Sequence, residues 1–266
     1  MKQTYLNYQI LAFIFSLLAL GCTKVIELPI GNQDKGKLVI EGEITNESGL
    51  QTVKLSQNVP FYDQNIYPAV SGAIVTLSDQ AGASYSLTEG PTGTYTTNTL
   101  IGLVSNTYTM QVVTNGLSYT ASSTMPALVT LDNITAKNSV FDKTKKTITV
   151  YYQDPAGIAN YYRFVLYVNG VQVKGFFPYN DTFTDGKPVR VDIRQTDMDI
   201  RTGATVTVEM HCIDKTMYTY WYTLASQSVN GPGGGVAPTN PPNTISPAAL
   251  GYFSAHTSQR KTIIVD

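Results

Sequence analysis

Cysteine and charge are what this chain has least of. Its 266 residues hold two cysteines, two histidines and one tryptophan, and only 14% of them are charged, against about 25% in ordinary soluble domains. A net charge of −1 gives no basic face for a polyanion, so a nucleic-acid partner is excluded. Two histidines leave little material for imidazole-based metal sites or catalytic triads. Long apolar runs are missing too: Ile10 to Leu20 is the longest and falls well short of the ~20 residues that cross a bilayer. What is plentiful is tyrosine (18) and glycine (21), with many threonines and valines, a mixture that favours strands and turns over helices.

That short apolar run is informative by its position. Lys2 precedes it, and Gly21-Cys22 follows it directly. A cationic start, a short apolar core and a small residue at the cleavage point make an export signal over residues 1–21. A cysteine straight after the small residue resembles the bacterial lipobox, although Ala19 stands where leucine is usual and Leu20 is beside it. The expectation is a lipidated Cys22 as the new N-terminus, with the plain secretory signal as the alternative. Residues 22–37 then read as a polar N-terminal tether. Only Lys24 and Glu27 stand close behind the cysteine, a weak signal for export to the cell surface. With Cys22 acylated, Cys212 has no partner for a disulfide, and its apolar run predicts a buried, inert thiol.

From Leu38 onward the chain alternates strand and turn. Asn115-Gly116 and Asn169-Gly170 are the strongest hairpin signals, each between alternating segments. Strands at intervals of about ten residues predict sandwiches. The expectation is an all-β protein of two β-sandwich domains, residues 38–128 and 129–266. A period change over Thr216–Gln227 puts Met217, Tyr220, Trp221 and Leu224 on one helical stripe, with Asp214 as N-cap. A Gly/Pro loop over 230–247 and a last strand near Thr262–Val265 complete the second domain.

Two resemblances follow from particular residues. Val70 to Val75, Gly93-Thr94-Tyr95, Asn106-Thr107-Tyr108 and Asn115 to Tyr119 resemble an Ig-like sandwich of the carboxypeptidase-regulatory or transthyretin type, in which tyrosines plug the core and sheet ends. The second domain is expected to be fibronectin-III-like. Over the whole mature chain, Leu38 to Gly42, the Gly93-Thr94-Tyr95 turn, Asp185-Gly186-Lys187, the Tyr-rich helix, Asn240 to Ile245 and Ala249 to His256 resemble the Bacteroidota lipoprotein family called domain of unknown function 4249. The resemblance implies an outer-membrane lipoprotein encoded beside TonB-dependent transporters. It carries over no activity, no cofactor and no catalytic residue.

Residue constellations are few. Ser254 and His256 share one strand face at i, i+2, but no nucleophile elbow surrounds Ser254. His211 and Cys212 face apart, so zinc would need ligands from elsewhere. Glu41 and Glu43 read as the solvated face of one strand. Asp192, Asp197 and Asp199 form the acidic candidate for Ca²⁺. Asn180-Asp181 and Asp185-Gly186 read first as a hairpin turn and second as a ligand loop. Tyrosines concentrate in the second half, most of them expected in the core. Tyr218 and Tyr222 lie off the helix's apolar stripe and, with Tyr179, are the candidate contacts to a partner. The functional expectation is a non-enzymatic accessory or docking component of a TonB-dependent transporter. The alternative is a glycan- or peptide-binding surface protein, which Trp221 and the second-half tyrosines would serve.

Overall fold

The computed structural model describes residues 36–60, 63–64, 66–140, 142–227 and 239–266. Cys22, the export signal and most of the Gly/Pro loop lie outside them. The described chain is all-β with one helix. The strands of the first half are β1 (Leu38–Thr45), β2 (Gln51–Gln57), β3 (Ile74–Asp79), β4 (Ser84–Glu89), β5 (Thr94–Thr97), β6 (Thr107–Thr114) and β7 (Leu117–Thr124). The second half adds β8 (Leu131–Asn138), β9 (Lys146–Gln153), β10 (Tyr161–Val168), β11 (Val171–Gln172), β12 (Phe177–Asn180), β13 (Pro188–Ile193) and β14 (Thr205–Cys212). Helix α1 (Lys215–Gln227) and strand β15 (Leu250–Ile264) follow.

Both Asn-Gly hairpins form as the sequence predicts. Asn115 and Asn169 have φ of 50°, and Gly116 and Gly170 have 76° and 80°, the positive pair that a two-residue turn requires. The predicted cap also forms: Asp214 Oδ1 accepts from Met217 N at 2.8 Å, satisfying an orphan donor of the first helical turn. The first-half tyrosines are plugs. Tyr95, 1% exposed, donates from its hydroxyl to Val70 O and accepts from Ala73 N, while the Tyr108 hydroxyl accepts from Leu103 N.

Two large cores form, with a smaller cluster under the helix. Ile40, Leu55, Leu77, Tyr108 and Met110 centre the first, and Leu131, Val150, Tyr162, Phe164 and Val208 the second. The expected border at 128/129 does not divide the chain cleanly, however. Ile245, Ala249, Phe253 and Ala255 pack in the first core, and the described residues fall in one compact unit.

The cause is β15, which begins much earlier than the expected final strand. Its first half runs parallel to β1, Leu250 opposite Val39 through His256 opposite Thr45. From Thr257, opposite Cys212, it runs antiparallel to β14 as far as Ile264, opposite Thr205. One strand thereby belongs to both sandwiches, and a single 12-stranded sheet, ordered β11-β10-β14-β15-β1-β2-β5-β4-β3-β6-β7 with β12 also on β10, runs through the molecule. The chain folds over within it at β4, which pairs with β3 through Ser84–Leu87 and with β5 through Thr88 and Glu89. A second sheet, β13-β9-β8, closes the other core.

Candidate functional site

Strand parity determines what the shared sheet shows on its outer side. Tyr162, Phe164 and Leu166 of β10 and Val208, Met210 and Cys212 of β14 fill the core, so Arg163, Val165, Glu209 and His211 point away from it. On β15 the even positions Tyr252, Ser254, His256, Ser258 and Arg260 join that face, since Ser258 and Arg260 stand opposite His211 and Glu209. Glu41 and Glu43 of β1 and Lys54 of β2 extend it. Helix α1 roofs one end, resting Trp221, Tyr220 and Leu224 against Tyr252 and Phe176.

The result is a cleft of about 420 Å³ between roof and sheet. Its centre is Arg163, whose guanidinium lies 3.7 Å from the Trp221 ring centroid, within cation–π range. Trp221 stacks on Phe176 at 5.5 Å and meets the edge of Tyr252 at 4.8 Å. Tyr252 donates to Glu43 Oε1 at 2.8 Å, and Arg163 stands 3.8 Å from the same oxygen. Behind it, Arg260 Nε donates to Glu209 Oε1 at 2.7 Å and His211 Nε2 is 3.3 Å from Glu209 Oε2. An adjoining cleft of about 280 Å³ shares Glu43, Glu209 and His211 and reaches the Glu47–Leu50 turn.

Burial shapes the electrostatics. Desolvation pushes against the Glu209 charge, but the hydrogen bond to His211 and the nearby Arg260 and Arg163 outweigh it, holding its carboxyl below the usual range. His256 stacks on His211 at 4.3 Å and exchanges a hydrogen bond with Ser254 at 3.0 Å. Desolvation, then His211 and Arg163, push its pKa well below 6.5, so it is held neutral. The predicted meeting of Ser254 and His256 is therefore real, but each is only 2% exposed, which closes the hydroxyl to an incoming carbonyl group. The Trp221 Nε1 and His211 Nδ1 atoms are buried without hydrogen-bond partners.

The neutral His256 has a pH consequence. Its folded pKa is depressed, so below about 6.5 the unfolded chain binds a proton that the folded protein refuses. Stability is full above that pH and falls as the pH drops, by up to ~1.4 kcal/mol per unit. Melting temperature followed from about pH 8 to about pH 5.5 should decline, and His256→Gln should flatten the decline. Equal acid slopes in both proteins would remove His256 as the cause.

The other sequence candidates separate. Tyr222 is 55% exposed and extends a ring ladder from Tyr161 through Tyr218, with centroids 5.2 and 5.7 Å apart. Tyr218 is half-buried, and its hydroxyl accepts from Asn180 at 2.7 Å, so it packs on its own body. Tyr179 is partly buried: it packs against the second core, its ring 5.6 Å from Phe164, and burial pushes its pKa up. Asp192, Asp197 and Asp199 do not converge, and each has partners of its own. Lys137 and Thr149 hold Asp192, Lys174 N donates to Asp197, and Lys145 and Arg201 pair with Asp199. Burial raises the Cys212 thiol, and its sulfur accepts from Val129 N. Residue reading overlooked Arg163 and Glu209, although a charge at an alternate position within an apolar strand is the signal of an outer face under cover.

Fold and cleft together define an all-β, double-sandwich protein with an aromatic, doubly charged groove across its shared sheet. The chain belongs to the family described as domain of unknown function (DUF4249), whose model matches residues 23–262. No curated protein matches the sequence. A solved structure from work on host cell surface retention of a 1.5-MDa bacterial ice-binding adhesin is similar at 16% identity and a TM-score of 0.20. The match covers 88% of this chain and 66% of that one.

Proposed function

We propose that this protein is a non-enzymatic lipoprotein of the bacterial outer membrane, anchored through Cys22, that docks on a TonB-dependent transporter through the groove under α1. The groove carries the reading. Arg163 lies beside the carboxylates of Glu41 and Glu43, backed by the buried rings of Trp221 and Tyr252, and the exposed Tyr222 ring on α1 offers an aromatic contact. Aromatic and arginine side chains of this kind are what protein interfaces use as anchors. The export-signal pattern before Cys22 and the family membership support the envelope location. Two or more acyl chains hold a protein stably on a membrane, where one holds only marginally.

A second reading has the groove take a glycan or peptide directly. The mixed charge of the cleft and the exposed Tyr222 ring favour it, because both ligand classes are held by ring faces and a few polar groups. The two separate by affinity purification from solubilised outer membrane. Docking predicts copurification of a large β-barrel, and Cys22→Ser should shift the protein to the soluble fraction and abolish that copurification. Strong signals on a glycan or peptide array with no barrel recovered would replace docking by the second reading.

A further inference from the structure

Three carboxylates converge at a place that does not line the groove. Asp154 follows β9, and Asp181 and Asp185 lie in the loop between β12 and β13. One oxygen from each falls within 4.8 Å of the others. That is the span of ligand oxygens across one Ca²⁺, which binds oxygen at about 2.3–2.6 Å.

The surroundings lack a counter-charge. Among the described residues, no lysine, arginine or histidine forms a salt bridge with any of the three. Lys187, in the same loop, sends its ammonium to Phe183 O instead. Asp154 is 1% exposed, and its Oδ2 is buried with no hydrogen-bond partner; Tyr162 donates only to Oδ1. Two further hard donors in these loops, Asn160 Oδ1 and Thr184 Oγ1, are also buried and unpartnered. Buried oxygens left in this state are costly unless something binds them.

The backbone holds the loops in place around the cluster. Asn160 N donates to Asp181 Oδ2 and Gly157 N to Asp185 Oδ1, both at 2.7 Å, while Asp154 N donates to Lys187 O at 3.0 Å. Backbone amides thus orient the Asp181 and Asp185 carboxylates, and the Tyr162 hydroxyl orients that of Asp154.

We propose that Asp154, Asp181 and Asp185 form a Ca²⁺ site that ties the β9–β10 loop to the β12–β13 loop. Calcium suits the donor set better than magnesium: many protein oxygens in an irregular cage match its flexible coordination, whereas Mg²⁺ keeps most of its waters. The cation supplies the positive charge the cluster lacks, and it binds the folded chain alone, so it raises stability by mass action.

The test is calorimetric titration of chelator-stripped protein with CaCl₂, with melting curves alongside. One ion should bind per chain, and the melting temperature should rise by about 5 °C or more in millimolar calcium. Asp185→Asn, at the exposed member, should weaken binding by roughly tenfold or more while the metal-free protein still folds. Asp154→Asn should abolish binding and raise the metal-free melting temperature, since it removes a desolvated charge. Asp199→Asn should leave calcium binding as it is. Absence of heat and of any melting shift at about 10 mM calcium, or equal responses in wild type and Asp185→Asn, overturns the site.

Discussion

Gly251→Ala is expected to destabilise the protein by about 3 kcal/mol or more, enough to leave little of a marginal fold. Gly251 sits at φ 102°, and a Cβ built there would lie 1.9 Å from Ile40 O and 2.7 Å from Ile40 C. Both obstacles are backbone of the neighbouring strand, so no side chain can swing aside. Strain at such a φ alone costs about 1–3 kcal/mol, and the alanine must also prise β15 from β1. That pairing joins the C-terminus to the first core, so denaturant melts should show both sandwiches losing stability together. Gly116→Ala is the comparison. It has φ 76° but open space around its Cβ, and it should cost only about 1 kcal/mol.

Arg163→Ala should have the second largest effect, about 2–4 kcal/mol of stability, together with loss of partner binding. The Arg163 side chain is 12% exposed, and Glu209, at 10%, shares its cleft. Removing the cation leaves Glu43 with only the Tyr252 hydroxyl and takes away one of the charges holding the Glu209 carboxylate ionised. It also strips the guanidinium from the face of Trp221. Arg163→Lys should recover part of the stability, because charge returns, but little of the binding, because a point charge cannot lie flat on the indole. Equal recovery of both would mean that the ring contact contributes nothing to recognition.

Features set by neighbouring residues were legible in the sequence. Asn115-Gly116 and Asn169-Gly170 define their own turns, and the spacing of Met217, Tyr220, Trp221 and Leu224 defines α1 with Asp214 at its cap. Features set by distant pairing were not. Strand β12 contains Pro178, which breaks the usual strand pattern and is tolerated there because β12 is an edge strand pairing only with β10. The early start of β15 is hidden because Ser254, His256 and Ser258 put polar residues among apolar ones; both of its faces are buried, one in a core and one beneath the groove.

The same limit governs the sites. Ser254 and His256 share a face by parity, which sequence alone predicts. Asp192 and Asp199 look like cation ligands until Lys137 and Lys145 are brought to them by folding. Asp154, Asp181 and Asp185 look like strand-end and turn residues until two loops place them together.

The most direct test of the docking account is a photo-crosslinking residue placed at Tyr222 in cells that express the protein at its native level. The account predicts a single high-mass adduct with an outer-membrane β-barrel, lost in the Arg163→Ala background and absent when the probe stands at Phe183, which is 87% exposed but lies in the loop of the carboxylate cluster. No adduct from Tyr222, or equal adducts from both positions, would contradict it.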